Sequence, residues 1–245
     1  MKRFFVLAGL IFAVVAAHAD FVMEQRIESA TVNGNIITKI KGDKIRLDMP
    51  DTTQGGISTI MDVATGDSIT LMHEQKAVIR ISGAEIRQLA ENMKKLRANG
   101  AVTNAEPPKF VDTGKAEKVG KYDAEIYTWS NSDGANQTVW VAKKFPNYAG
   151  IKIQMDKMNN SPLAKMAKGM SPDASALPGM VIKTQMNMKG QIATSTLVSV
   201  KEESVDAATF EAPKDYHEMV QPVMSKQSPP ETVPSSDSAH SKLDK

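Results

Sequence analysis

Residues 36–50, IITKIKGDKIRLDMP, and 55–82, GGISTIMDVATGDSITLMHEQKAVIRIS, decide the fold. In the first stretch Ile45, Leu47 and Met49 alternate with Lys44, Arg46 and Asp48. In the second, Ile57, Thr59, Met61 and Val63 alternate with Ser58, Ile60 and Asp62. A period of two is that of strands with one buried face. Lys41-Gly42-Asp43, Thr65-Gly66-Asp67 and His73-Glu74-Gln75 punctuate the run as turns, so successive strands lie antiparallel in a meander.

Upstream, Phe21, Met23 and Ile27 face opposite to Glu24, Arg26 and Glu28, which gives a half-buried first strand ending near Asn33-Gly34 and pairing with the strand from Ile36. Downstream, Ser82-Gly83-Ala84-Glu85 has the form in which a serine caps a helix and a glutamate returns the hydrogen bond. The helix from Ala84 to Ala98 carries Ile86, Leu89, Met93 and Leu96 on one face and stops at Asn99-Gly100. So narrow an apolar stripe is made to lie on the sheet.

A loop over 101–109 precedes a second β region, in which Ala124, Ile126 and Thr128 alternate with polar and aromatic neighbours. After a turn at Ser132-Asp133-Gly134, residues Gln137 to Ala142 return antiparallel, completing a hairpin that carries Trp129 and Trp140. Residues 146–169 read as irregular or helical, with a short helix begun at Ser161-Pro162 and ended by Gly169. In the last hairpin Met180, Ile182, Thr184, Met186 and Met188 share one face, and Ile192 to Val200 repeats the pattern. Phe210 and Tyr216 are placed to pin the end of the chain to the core.

At the amino terminus Lys2 and Arg3 precede an apolar run from Phe4 to Ala17, and Ala17-His18-Ala19 offers the small residues of a cleavage site. Residues 1–19 therefore read as a signal peptide removed before Asp20. The apolar run falls short of the ~20 residues that cross a bilayer, so no transmembrane span is expected in the mature protein. Export leads to the periplasm or the medium. Residues 223–245, rich in serine and proline, read as a disordered tail, leaving 20–222 as one β domain. The whole charge of +2 comes from Lys2 and Arg3, since the remainder balances 28 basic against 28 acidic residues. A balanced chain lacks the basic excess of a nucleic-acid or anionic-membrane binder. With no cysteine there is neither a disulfide nor a thiolate for metal or catalysis.

No Gly-x-Ser-x-Gly elbow, phosphate loop or dinucleotide fingerprint occurs, and His73, His217 and His240 have no metal-ligand spacing and are expected in solvent. The chain reads as a non-enzyme without cofactor or metal. Methionine is the oddity: of 15, seven fall between Met155 and Met188. Thioether side chains line pliable apolar cavities, and they fill ordinary cores equally well. A third reading, Met155 with Met158 or Met186 with Met188 as soft copper ligands, lacks a supporting histidine or cysteine. Trp129 and Trp140 fit either a ligand mouth or a hydrophobic corner of the core.

Taken together, KGDKIRLDMP, IMDVATGDSITLMHEQKAVIRIS, TGKAEKVGKYDAEIYTWSNSDGANQTVWVAKKFP and VDAATFEAPKDYHEM resemble an uncharacterised bacterial family of exported proteins, a domain of unknown function. More distantly the chain is similar to periplasmic lipoprotein carriers and lipid binders of the LolA, LolB and LppX type. That resemblance implies a mainly β (α+β) fold: a curved antiparallel sheet forming an incomplete β-barrel, with helices covering its concave face. It implies a carrier of an apolar ligand, a lipid or the acyl chains of a lipoprotein. The cavity would be lined by Ile86, Leu89, Met93, Leu96, Met180, Ile182, Met186 and Met188. The alternative is a structural or partner-binding module whose barrel is filled by its own side chains. The sequence leaves the oligomeric state open.

Overall fold

The chain enters its sheet in the middle. β1 (Phe21–Ser29) pairs with β2 (Asn33–Lys41), and β3 (Lys44–Asp48), β4 (Ile57–Asp62), β5 (Ser68–Met72) and β6 (Ala77–Ile81) continue outward as the predicted meander. α1 (Gly83–Ala98) then carries the chain across to the far edge, where β7 (Val111–Val119), β8 (Tyr122–Ser130) and β9 (Asn136–Ala142) begin the return. α2 (Tyr148–Asn159) and α3 (Pro162–Ala167) follow. β10 (Met180–Met188) and β11 (Gln191–Glu202) bring the chain back beside β1. The last segment runs to the opposite edge, where β12 (His217–Glu218) pairs in parallel with β6. This computed structural model describes residues 20–50, 55–98, 108–131, 134–167 and 172–219. The leader 1–19, the tail 223–245, the helix stop at Asn99-Gly100, most of the turn at Ser132-Asp133-Gly134 and Gly169 lie outside the described residues.

The sheet order β12-β6-β5-β4-β3-β2-β1-β11-β10-β9-β8-β7 does not join its two ends, so the barrel is incomplete. Its curvature is plain from the core. Ile45 of β3, Phe21 of β1, Ile182 of β10, Trp140 of β9 and Ala124 of β8 form one buried cluster, although six strand spacings separate β3 from β8 in a flat sheet. Irregular register at Glu24/Gln25, at Val181/Lys183 and over Asp112–Ala116 provides bends, as β-bulges do. α2 closes the concave side, with Ile151 buried and Met155 and Met158 packed on the same cluster. Each buried aliphatic side chain of this kind contributes about 1.5–3 kcal/mol relative to an exposed one.

Two expectations need correction. The stretch 36–82 is covered on both faces. Ile45 joins the concave core, whereas Ile60, Leu71 and Val78 are buried on the other side beneath Val205 and Phe210, because the chain after β11 crosses that outer face. Period-two patterning alone sees one face. The cover over the concave core is α2 rather than α1, which packs against α3 and docks its first turn on the β4–β5 turn. The Ser82–Glu85 cap is present: Glu85 Oε2 accepts from the Ser82 amide and hydroxyl, each at 2.7 Å. The cap at Ser161 is present too, its Oγ accepting from Ala164 N at 3.2 Å.

Candidate functional site

At one end of the concave face the core opens into a cleft of about 640 Å³. Phe21 of β1, Ile182 of β10 and residues 196–200 of β11 form its floor. The β7–β8 turn, with Val119 and Tyr122, makes one wall, and Phe145 with Ile151 of α2 makes the other. The bulge on β11 opposite Glu24/Gln25 explains why consecutive residues Thr196 to Val200 all reach the cleft. Tyr122 and Phe145 meet across it with ring centroids 4.9 Å apart. Lys121 holds its ammonium 5.3 Å from the Tyr122 centroid, leaving a cation at the rim. Asn147, in the left-handed region at φ 50°, does not cap α2 with its side chain. It donates instead to Glu202 Oε2 at 2.8 Å, tying the helix start to β11. At the helix end Lys157 pairs with Asp43 of the β2–β3 turn at 2.8 Å. α2 is thereby strapped across the concavity at both ends.

The residues singled out from sequence do not assemble as one lining. Ile182 is in the cleft floor, and Met180 is buried in the adjoining core. Ile86 is buried in the first turn of α1, away from the cleft, and Leu89 is 50% exposed. The side chains of Met93 and Leu96 lie outside the described residues. Met186 and Met188 are displaced by the bulge on β10. Met180 pairs with Ala142 and Met186 with Gln137. The two methionines are six positions apart in β10, but their partners are five positions apart in β9, so against β9 they stand on opposite faces. Met188 is 58% exposed. Sequence reasoning missed Phe21, Tyr122, Phe145, Leu197 and Val200. Their signal was present in the alternating apolar positions of β1, β8 and β11, but nothing local told which of these strands curl toward α2.

A family model described as a domain of unknown function (DUF4412) matches residues 21–216. The chain belongs to that family. No curated protein matches it. Among solved structures, PNGF-II aligns at 12% identity with a TM-score of 0.40, covering 82% of this chain but only 31% of its own, so the chain spans about a third of that protein. Mycobacterium tuberculosis lipoprotein LppX aligns at 8% identity and a TM-score of 0.38 over 77% of this chain and 88% of its own. A putative outer membrane lipoprotein-sorting protein domain from Vibrio parahaemolyticus aligns at 13% and 0.32 over 80% and 90%. Among the described residues no helix is long and apolar enough to cross a membrane.

On the outer face the DUF4412 domain carries a polar cluster around His73, a residue that its sequence context places in solvent. His73 is half-buried, with Nε2 2.7 Å from Ser58 Oγ and Nδ1 2.6 Å from the Tyr216 hydroxyl. Ser58 has one proton, and Asp48 Oδ1, 2.6 Å away, can only accept it. His73 Nε2 therefore donates to Ser58, and in the neutral ring Nδ1 then accepts from Tyr216. This runs opposite to nucleophile activation, in which the serine gives its proton to the imidazole. Ser58 is also 2% exposed. The cluster acts as a latch: Arg46 reaches Asp48 at 2.6 Å and the Thr209 carbonyl at 2.9 Å, joining β3 to the C-terminal segment.

Burial pushes the Asp48 carboxyl upward, but hydrogen bonds from Ser58 and Arg46 and the charges of Arg46 and Lys39 outweigh it and hold the group below its ordinary value. Asp20 follows the same pattern. Burial opposes, while the Lys41 ammonium at 2.6 Å and the Val205 amide at 3.0 Å prevail. A depressed carboxyl contributes its stability fully above the unfolded value of about 4 and loses it as pH falls through the folded value. The thermal midpoint is thus expected to fall from pH 4 toward pH 2, and less steeply in Asp48→Asn, which scans at stepped pH would check. An equal acid slope in wild type and variant would remove Asp48 from the latch.

Proposed function

We propose that this chain is an exported binding protein that takes the apolar body of a lipid, or an acyl chain of a lipoprotein, into the cleft between the sheet and α2. The observation that carries the reading is the cleft itself, about 640 Å³ walled by Phe21, Tyr122, Phe145, Leu197 and Val200. Its size lies within the roughly 300–1,000 Å³ of small-molecule sites, and its lining combines aromatic and aliphatic side chains with the hydroxyls of Thr196 and Ser199 in the floor and the polar side chains of Lys121, Asn147 and Glu202. At about 30 Å³ per methylene-sized group, the volume of a water in the liquid, the cleft holds one long chain rather than several. The competing reading, a structural or partner-binding module, draws on the filled core beneath α2, where Ile151, Met155 and Met158 already occupy the concavity.

Native mass spectrometry of the protein recovered from the periplasm or medium, followed by solvent extraction, separates the two readings. A polypeptide mass beginning at Asp20 is expected, with an additional non-covalent mass that extraction identifies as an acyl lipid. A bare polypeptide with nothing extractable favours the module, and a mass beginning at Met1 overturns export.

A further inference from the structure

Among the described residues one buried side-chain polar atom has no hydrogen-bond partner: Nε1 of Trp140. The residue is 7% exposed, and buried polar groups in folded proteins are almost always paired, so an orphaned indole N–H calls for a partner. Trp140 belongs to the same core cluster as Phe21, Ile151 and Ile182, three residues that line the cleft. The bulge on β10 sets Ile182 and Lys183 together against Trp140. Lys183 holds its ammonium 4.2 Å from the indole centroid. Among the described residues its carboxylate neighbour is Glu117 Oε1 on β7, 3.9 Å away and beyond hydrogen-bond reach. The Lys183 side chain is 28% exposed. The Lys183 ammonium therefore stands over the face of an indole whose N–H is unused, and Lys183 pairs on β11 with Thr196, a residue of the cleft floor.

We propose that Lys183 and the Trp140 indole N–H form the polar anchor for a ligand oxygen: the carboxylate or ester oxygen of an acyl chain whose apolar body lies in the cleft. This rests on the carrier reading and adds to it a requirement for an acceptor group at one end of the chain. Both groups donate and neither accepts, so a hydrocarbon or an amine head gains nothing there. The loosely held Glu117 carboxylate is the group that a ligand acid displaces from Lys183. It also penalises anions that cannot reach the indole.

The test compares two fluorescent ligands, cis-parinaric acid, which carries a carboxylate, and N-phenyl-1-naphthylamine, which carries no oxygen. In Lys183→Met the ratio of acid affinity to naphthylamine affinity is expected to fall at least tenfold, and Lys183→Arg is expected to recover most of it. Trp140→Phe, with its thermal midpoint measured alongside, is expected to lower the same ratio; if it does not fold, the lysine pair decides. An unchanged ratio in a Lys183→Met protein with the wild-type midpoint overturns the anchor and leaves the carrier standing. Binding of neither ligand to the wild type overturns the carrier reading itself.

Discussion

Alanine at Gly83 is expected to destabilise the protein by about 3 kcal/mol, the upper end of what overpacking does, and to undock α1. An added Cβ at this position would fall directly on the carbonyl oxygen of Thr65, with the Thr65 carbonyl carbon 2.9 Å and Arg87 Nη1 3.2 Å away. The obstacle is backbone, which cannot swing aside as a side chain does. The same contact is held by hydrogen bonds: Gly83 N donates to Asp67 Oδ1 at 2.8 Å, and Arg87 Nη1 to the Thr65 carbonyl at 2.9 Å. Moving the helix to make room breaks both. The neighbourhood cannot relax toward α3 either, because a Cβ at Gly66 would already meet Pro162 at 2.8 Å. Gly42→Ala serves as the control. Its φ of 59° brings left-handed strain, but no atom lies within 4 Å, so about 1–2 kcal/mol is expected. Urea denaturation of the three proteins measures the order. A Gly83→Ala midpoint no lower than that of Gly42→Ala would show that the helix start moves freely.

The parts of the fold that were legible are those whose signal is local. The meander from Ile36 to Ser82 was set by glycine turns between alternating runs, and the starts of α1 and α3 by serine caps at Ser82 and Ser161. β7 escaped notice because it is an edge strand. Val111 to Val119 is exposed almost throughout, so it has no buried face to impose alternation, and its bulge around Gly114 breaks what remains. The phase of β10 was misread for a related reason. Met180, Ile182, Met186 and Met188 alternate faultlessly in sequence, and a bulge leaves no mark in a hydrophobic pattern. His73 looked like a turn residue and is one, but the C-terminal segment returns over it from 143 residues away and supplies Tyr216.

The cleft was legible only at Ile182, since a concave surface is made by curvature and by the element that covers it. α2 reads weakly from sequence, with Gly150 in its first turn and Ile153 exposed on its outer side. Its position over the sheet depends on straps to Glu202 and Asp43 that no spacing rule anticipates. Methionine richness pointed to the right face of the molecule only in part: Met155, Met158 and Met180 do meet in the concave core, whereas Met186 and Met188 do not.

That difference makes the strongest test of where a ligand goes. Leu197→Trp is expected to abolish uptake of a fluorescent fatty acid, or weaken it more than tenfold, while lowering stability by less than about 1.5 kcal/mol. Leu197 is only partly buried and faces the open cleft, so the larger ring enters space that ligand atoms use and avoids the crowding that a closed core would impose. Met186→Trp is the paired control. Met186 stands opposite to Met180 relative to β9 and is not part of the cleft wall, so its replacement is expected to leave uptake at the wild-type level. Titration of each variant with the fatty acid, with thermal midpoints recorded, separates filling of the cleft from loss of fold. If Leu197→Trp still bound like the wild type while Met186→Trp did not, the ligand would have to lie on the other side of β10, and the cleft walled by Tyr122 and Phe145 would no longer be the binding site.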